Sequence, residues 1–146
     1  MGDVSPRAIR AYLPTFRRWF RRELRSRRLW GYIAETPAGV AIGGGLLWLQ
    51  PRLPSPRFRH LVSPYVFSVY TVPEHRGKGV ASRLVSALVE SARTRGFARV
   101  ELHSTDMGRR LYERLGFEPT TQMRIVLSGA PSTGRRRSTP PASKKR

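Results

Sequence analysis

The sequence contains no cysteine among its 146 residues. This absence excludes disulfide bonds, thiolate metal sites and a cysteine nucleophile. Long apolar runs are also absent: the longest, residues 38–49, has 12 residues of which four are glycine, too few to span a bilayer. The Arg-rich N-terminal region carries no secretory signal pattern, so we expect a cytoplasmic protein without a membrane span.

Acidic side chains are scarce. Nine aspartates and glutamates oppose 28 lysines and arginines, giving a formal net charge of +19. Such a surplus attracts nucleic acid, acidic membranes or other polyanions through long-range electrostatics, without choosing between them. Residues 128–146 are rich in Ser, Pro, Gly and basic side chains, so we predict a disordered basic tail after a single domain of residues 1–127.

Hydrophobic periodicity predicts alternating helices and strands. The expected elements are a helix over 14–28, a hairpin of strands 30–35 and 40–49, a strand over 65–72, a helix over 80–95, a strand over 97–103, a short helix from residue 106 and a last strand over 122–127. The glycines at 43–45 predict a bulge or a close backbone approach. The fold class is therefore α/β, with a mixed central sheet, flanking helices and one right-handed parallel crossover.

The segment PEHRGKGVASRL, residues 73–84, joins the third strand to the clearest helix. A helix N-terminus carries unpaired N–H groups and a partial positive charge, and Gly77 and Gly79 allow a ligand to approach the backbone. Arg76, Lys78 and Arg83 add positive charge at the same point. The sequence therefore predicts a phosphate or pyrophosphate site here.

Two known phosphate-loop patterns fit this segment poorly. A Walker A loop needs G-x-x-x-x-G-K-S/T, a spacing that the segment does not have. A dinucleotide fingerprint G-x-G-x-x-G would put Ser82 at its third glycine and Glu101 at the ribose, and no further βαβ units follow to complete that fold.

A third pattern fits. Arg76-x-x-Gly79-x-Ala81 resembles the Q/R-x-x-G-x-G/A motif of the GCN5-related N-acetyltransferase (GNAT) family, and it follows a predicted strand. The segment GRRLYERLGFEP, residues 108–119, resembles the family's second landmark, a short helix with a tyrosine followed by Gly-Phe. The resemblance covers residues 30–127. Residues 1–13 are too few to supply the first strand and helix of the family pattern, so we expect an exposed sheet edge through which a homodimer could form.

The resemblance implies a GNAT-like enzyme that moves an acetyl group from acetyl-CoA to a primary amine by direct attack in a ternary complex. It also implies that backbone amides of residues 77–81 hold the pyrophosphate of acetyl-CoA and that residues 69–72 pair with its pantetheine arm. The predicted cofactor-binding residues are Val69, Tyr70, Thr71, Val72, Arg76, Gly77, Lys78, Gly79, Val80, Ala81 and Ser82. The acceptor stays open among small amines, amino acids and peptide N-termini.

Two residues are candidates for the chemistry. The resemblance assigns Tyr112 to protonate the CoA thiolate, whereas the helix pattern alone would make it one more packed aromatic residue. His103 ends a predicted strand beside the thioester, and an imidazole titrates near neutral pH, so it is a candidate base. Glu101, Glu74 and an ordered water are the alternatives. Ser104 and Thr105 are expected to cap the following helix rather than to take part in the chemistry.

A competing hypothesis is a catalytically weak or inactive domain that binds nucleic acid through its arginine-rich surface. The first helix carries many of these arginines, at positions 17, 18, 21, 22, 25 and 28. Its apolar stripe of Phe16, Trp19, Phe20 and Leu24 predicts instead that the helix packs on the sheet through these side chains, with its arginines in water. A nucleic-acid binder has no need of the glycine loop, so the sequence favours the enzyme.

Overall fold

The structure is a computed structural model that describes residues 5–54, 56, 60–123 and 125. Its elements in chain order are α1 (Pro6–Arg25), β1 (Leu29–Glu35), β2 (Ala41–Pro51), β3 (Val62–Thr71), a 3-10 turn (Pro73–His75), α2 (Val80–Thr94), β4 (Glu101–Leu102) and α3 (Asp106–Arg114). The strands form one sheet in the order β1-β2-β3-β4, antiparallel except for the β3–β4 pair. The predicted mixed α/β fold and its parallel crossover are confirmed.

The main core lies between the sheet and α2. Leu47 of β2 and Val66 of β3 are buried against Leu88 and Ala92 of α2. The two α2 residues are one helical turn apart, so they share one face. Fully burying a large aliphatic side chain stabilises the fold by about 1.5–3 kcal/mol, which makes this contact the main anchor of α2.

α1 packs on the opposite face of the sheet. Side chains alternate along a strand, so Trp48 and Phe67 point away from the face that holds Leu47 and Val66. Trp19 of α1 contacts both of these rings edge-on, with centroid distances of 5.3 Å to Trp48 and 6.1 Å to Phe67. The prediction that the first helix packs on the sheet is therefore correct for Trp19, whereas Leu24, which was also predicted to pack there, is 44% exposed.

A buried carboxylate fixes α1 to the sheet. Glu23 is 1% exposed and accepts a 3.0 Å hydrogen bond from the indole N–H of Trp48. Its other neighbours are the guanidinium groups of Arg22 at 2.9 Å and Arg28 at 3.2 Å. Burial by itself raises the pKa of Glu23, but the Trp48 hydrogen bond and the two arginines together lower that pKa below its ordinary value.

The predicted start of α1 is wrong. The helix begins at Pro6 rather than Pro14, and the Ser5 hydroxyl caps it by accepting a hydrogen bond from the Ala8 N–H. Proline at a first turn is favourable, and both prolines could open a helix, so the pattern alone did not decide between them. The described residues begin at Ser5, and α1 is their first element, so they contain no strand before it. Among the described strands, β1 pairs only with β2. The proposed homodimer through that edge stays a prediction.

The strand predictions on either side of the crossover also need correction. β2 and β3 extend into the predicted loop of residues 50–64, where the Arg52 N–H bonds to the Leu61 carbonyl at 2.7 Å. The strand predicted over 97–103 is shorter than expected: it pairs with β3 only at Glu101 and Leu102. Residues 122, 123 and 125 are not in a strand, and the rest of the predicted strand 122–127 lies outside the described residues.

The predicted tail, residues 128–146, also lies outside the described residues. None of the helices in the described part of the chain has both the length and the apolar character that a membrane crossing requires.

Candidate functional site

The parallel strands β3 and β4 separate to form a fork. They pair only at Tyr65 with Glu101 and at Val66 with Leu102. Beyond this vertex, residues 67–71 of β3 pair only with β2 within the described structure. The edge of β3 that faces the fork therefore has backbone N–H and C=O groups without a strand partner, which an extended ligand could bond.

A bulge in β3 opens the fork. Ser68 has a φ of 51°, and the β2–β3 register shifts there, from Leu46 opposite Phe67 to Gly44 opposite Tyr70. A bulge bends its strand and ends regular pairing. The irregularity predicted at the glycines of β2 is therefore confirmed, although the extra residue lies in β3.

The glycines of β2 also allow the close approach that was predicted. A Cβ on Gly43 would lie 2.8 Å from the Tyr70 carbonyl oxygen and 3.1 Å from a methyl group of Val80. A Cβ on Gly45 would lie 3.1 Å from a methyl group of Leu88. These contacts place the first turn of α2 directly against β2 and the bulged part of β3.

The glycine loop presents the N-terminus of α2. Gly77 and Gly79 have φ values of 74° and 78°, in the left-handed region, and a Cβ on either would meet no atom within 4 Å. Ser5 and Thr105 cap α1 and α3 with their side chains, as predicted for Thr105, whereas no side chain caps α2 and its first turn has no acidic residue. The first-turn N–H groups of α2 therefore have no partner within the helix and suit an anionic group.

Arg76 braces the loop. Its Nε donates to the Thr71 carbonyl at 3.1 Å, and its guanidinium lies 5.9 Å from the centre of the Tyr70 ring. Lys78 and Arg83 are exposed. The hydroxyl oxygen of Thr71, at the end of β3, is buried and has no hydrogen-bond partner among the described residues. An unpaired buried polar atom at the open end of the fork fits a site whose ligand supplies the missing hydrogen bond.

Tyr112 and His103 line one groove of about 850 Å³ between α3, β4 and the end of α2. Tyr112 is half-buried, and its ring meets Phe117 edge-on with centroids 5.9 Å apart. Burial, with a smaller contribution from Tyr65, raises the pKa of Tyr112, so its hydroxyl keeps its proton at neutral pH. The structure thus brings together the two residues that the sequence named for the chemistry.

The structure distinguishes the alternative bases. Glu101 is held by Arg52 at 3.3 Å, by the Ser63 hydroxyl at 3.3 Å and by Arg99 at 3.5 Å, so it ties β4 to the start of β3 and to the residue that follows β2. Glu74 is exposed in the 3-10 turn. His103 lies one residue beyond the vertex of the fork.

Sequence reasoning missed two neighbours of His103. Its Nδ1 is hydrogen-bonded to the Tyr65 hydroxyl, and its Nε2 to the side-chain oxygen of Gln122. The contact with Tyr65 could be inferred once the register of the parallel pair is known, since Tyr65 lies opposite Glu101, two residues before His103. No pattern in the sequence indicates Gln122.

The chain is similar to known acetyltransferases. Residues 5–117 match the family model described as the acetyltransferase (GNAT) family. Glucosamine 6-phosphate N-acetyltransferase of Trypanosoma brucei brucei is 33% identical over 92 residues, which cover 62% of this chain and 60% of that protein. An uncharacterised N-acetyltransferase of Bacillus subtilis is 33% identical over 79 residues, 52% of this chain and 48% of the relative. The chain thus spans about half to three-fifths of the length of these relatives.

A solved structure shows the same fold. The crystal structure of a GCN5-related N-acetyltransferase from Ralstonia eutropha superposes with a TM-score of 0.76 at 28% identity, covering 86% of this chain and 82% of that one. A predicted acetyltransferase with acetyl-CoA from Clostridium acetobutylicum gives a TM-score of 0.69 at 25% identity, covering 75% and 71% of the two chains. The predicted family and fold are confirmed.

Proposed function

Because the chain belongs to the acetyltransferase (GNAT) family, we propose that it transfers the acetyl group of acetyl-CoA to a primary amine by direct attack in a ternary complex. The observation that carries this proposal is the uncapped N-terminus of α2, entered through two left-handed glycines and lying beside the open edge of β3. An anionic group and an extended arm can both be bound there at once.

In the proposed acetyl-CoA binding site, backbone groups make more of the contacts than side chains do. The N–H groups of residues 77–82 bind the pyrophosphate, and Lys78 and Arg83 add positive charge to it. Arg76 acts by holding the loop against the end of β3. The pantetheine arm runs along residues 69–72, where the Thr71 hydroxyl has no partner in the described structure. When bound, acetyl-CoA supplies an activated thioester carbonyl.

Tyr112 and His103 divide the proton transfers. Tyr112, whose raised pKa keeps its hydroxyl protonated, donates a proton to the departing thiolate. His103 receives the proton that the amine must lose before it attacks. Direct attack requires no covalent intermediate on the protein.

The groove favours an acceptor that is not strongly basic. Arg93, Arg99 and Arg109 line it with Glu101, Glu113 and Glu118, and all three of these arginines have carboxylate partners. Among the described residues that line the groove, negative charges do not outnumber positive ones, so the groove has no surplus with which to attract a polyamine. Glucosamine 6-phosphate, the compound in the name of one relative, is a suitable first probe because it joins a primary amine to an anionic group.

The test separates binding from chemistry. Calorimetry measures acetyl-CoA binding, and release of free thiol measures turnover with glucosamine 6-phosphate, a short peptide with a free N-terminus, or spermidine. The chain has no cysteine, so the protein adds no thiol background. We expect Tyr112→Phe to bind acetyl-CoA as the wild type does and to lose about a hundredfold in kcat. Tyr32→Phe, at an exposed tyrosine of β1, is the control.

Two results would overturn the proposal. If the folded wild-type protein binds no acetyl-CoA, the proposed binding site at the N-terminus of α2 is excluded. Equal kcat for Tyr112→Phe and Tyr32→Phe would exclude Tyr112 as the acid.

A specific surface favours nucleic-acid binding as a second candidate function. A groove of about 830 Å³ runs along α1 and is lined by Pro14, Arg17, Arg18, Arg21, Arg22, Arg25 and Ser26. The only carboxylate of α1, Glu23, is buried on the other side against Trp48. Arginines one turn apart repel one another, so an array without exposed acids suits a polyanion. Trp19, which belongs to the apolar stripe of α1, packs on the sheet and so is not available to enter a bilayer.

This second function is tested by titrating a fluorescent 20-nucleotide RNA at several salt concentrations. We expect the double variant Arg17→Gln with Arg21→Gln to bind RNA more weakly. The slope of log K against log salt concentration should fall by about one unit for each arginine, as for the loss of one phosphate contact each. Arg93→Gln with Arg114→Gln removes the same charge from other helices and is the matched control. Equal effects of the two double variants would show that only net charge matters and would exclude the groove.

A further inference from the structure

Three side chains from separate parts of the chain form one hydrogen-bonded row at the vertex of the fork. The Tyr65 hydroxyl of β3 bonds to Nδ1 of His103, and Nε2 of His103 bonds to the side-chain oxygen of Gln122. Tyr65 and Glu101 are the first parallel pair of β3 and β4, and His103 follows the last pair. The row therefore lies where the two strands begin to separate.

This arrangement occupies both nitrogens of His103. An amide oxygen only accepts, so Nε2 carries the proton and donates it to Gln122. Nδ1 then has the free lone pair and accepts from the Tyr65 hydroxyl. Neither nitrogen is left for a direct bond to an incoming amine. The group through which a proton can reach His103 is the oxygen of Tyr65.

We propose that Tyr65 is a further catalytic residue, which contacts the acceptor amine and passes its proton to His103. This inference rests on the proposed acetyl transfer. The Tyr65 oxygen accepts a proton from the ammonium group of the acceptor while its own proton moves to Nδ1 of His103. The products are a neutral amine, an unchanged Tyr65 and an imidazolium that donates from both nitrogens. Atoms and charge balance, and His103 acts through Tyr65.

The surroundings support this division of roles. Burial raises the pKa of Tyr65, so the hydroxyl does not ionise on its own near neutral pH and serves as a relay rather than as a base. Tyr65 also contributes to the raised pKa of Tyr112, the proposed acid.

Charged groups from the neighbouring elements lie around His103 or line the same groove. Glu101 lies beside it on β4 with its partners Arg52 and Arg99. The groove that contains His103 also holds Arg93 of α2, Arg109 and Glu113 of α3, and Glu118. Arg93, Arg109 and Glu113 are in ion pairs with residues of their own helices. Within the part of the chain that the structure describes, the groups that bond directly to the imidazole are Tyr65 and Gln122.

The experiment is a double-mutant cycle with Tyr65→Phe and His103→Gln, measured with glucosamine 6-phosphate or, if it gives no turnover, the fastest amine of the panel above. If the two residues act as one unit, each single change lowers kcat by about a hundredfold and the double variant loses no more than the worse single variant. Acetyl-CoA affinity, measured by calorimetry, stays unchanged. Tyr32→Phe is the control for removing an exposed phenolic hydroxyl.

A second measurement distinguishes a Tyr65 that passes a proton to His103 from a Tyr65 that only packs against it. Nitrogen NMR of His103 in the wild type should show the Nε2–H tautomer, and Tyr65→Phe should increase the other tautomer, since the donor to Nδ1 is lost. The kcat/KM–pH profile should change in the same way in both single variants, since each variant removes one end of the relay.

Each failure has its own meaning. An inactive wild type that binds no acetyl-CoA would refute the proposed function and the relay together. An active wild type whose Tyr65→Phe variant keeps kcat within about twofold, or whose double variant loses the product of the two single effects, would refute the relay alone.

Discussion

Gly79 and Gly96 are a matched pair for testing the phosphate site, because they lie at opposite ends of α2 in the same backbone conformation. Gly79 precedes the helix with φ 78°, and Gly96 follows it with φ 82°. A Cβ on either glycine would meet nothing within 4 Å. An alanine at either position should therefore cost a similar free energy of backbone strain, and the two positions lie at opposite ends of the helix.

The expected cost in stability is equal. An L-residue in the left-handed region costs about 1–2 kcal/mol, partly offset by the lower entropy of the unfolded chain with alanine. Gly79→Ala and Gly96→Ala should each destabilise the protein by about 1 kcal/mol, or about 3–5 °C in melting temperature. Thermal unfolding followed by circular dichroism measures this effect.

The expected cost in binding is unequal. At Gly79 the new methyl group enters the space in front of the first-turn N–H groups of α2, where we place the pyrophosphate. Losing one hydrogen bond to a charged group costs about 1.5–3 kcal/mol, which raises the acetyl-CoA Kd about tenfold to a hundredfold. Gly96→Ala, at the far end of the helix, should leave the Kd within about twofold.

A third variant makes stability and affinity move in opposite directions. Aspartate tolerates the left-handed region better than alanine, and its charge is favourable at a helix N-terminus. Gly79→Asp should therefore be more stable than Gly79→Ala and yet bind acetyl-CoA more weakly, because its carboxylate repels the pyrophosphate. Calorimetry that finds equal Kd values for Gly79→Ala and Gly96→Ala, or wild-type affinity for Gly79→Asp, would refute the proposed site.

Two further predictions concern the scaffold. Glu23→Ala should lower the free energy of unfolding in urea by about 2–3 kcal/mol, since the partly buried indole N–H of Trp48 loses its acceptor. The lowered pKa of Glu23 means that its ionised form adds stability above the unfolded pKa of 4.5; this advantage over Glu23→Gln should shrink as the pH falls from 5 toward the folded pKa, and a constant difference would contradict it. Gly43→Ala should cost about 1–3 kcal/mol, because its Cβ would lie 2.8 Å from the Tyr70 carbonyl. Gly44→Ala, whose nearest contact would be 3.5 Å away, should cost much less; equal losses would argue against the close approach.

The parts of the site that local chemistry defines could be predicted from the sequence. Gly77 and Gly79 indicate positive φ, and the basic residues around them indicate an anion, whatever the rest of the chain does. Tyr112 was found through its motif, and the structure places it with His103 in one groove. These features depend on short segments, so a pattern can encode them.

The register between β3 and β4 could not be predicted. It is set after the chain has passed through α2, by how that helix packs on the sheet, and a register shift would exchange the faces of the residues concerned. The Tyr65–His103 contact depends on this register. Ser68 also gave no signal, since serine has no special preference for a positive φ.

The bulge at Ser68 links the scaffold to the chemistry. Val66 and Val69 both pack on the α2 side of β3, although side chains at these two positions would lie on opposite faces of a regular strand. The extra residue restores the apolar face, and in doing so it ends the pairing with β4 and leaves the edge of residues 67–71 open. One side of the bulge leads to the uncapped end of α2, and the other leads back to Tyr65 and His103. Changes near the N-terminus of α2 should therefore alter the binding of acetyl-CoA, and changes at Tyr65 or His103 should alter the rate of acetyl transfer.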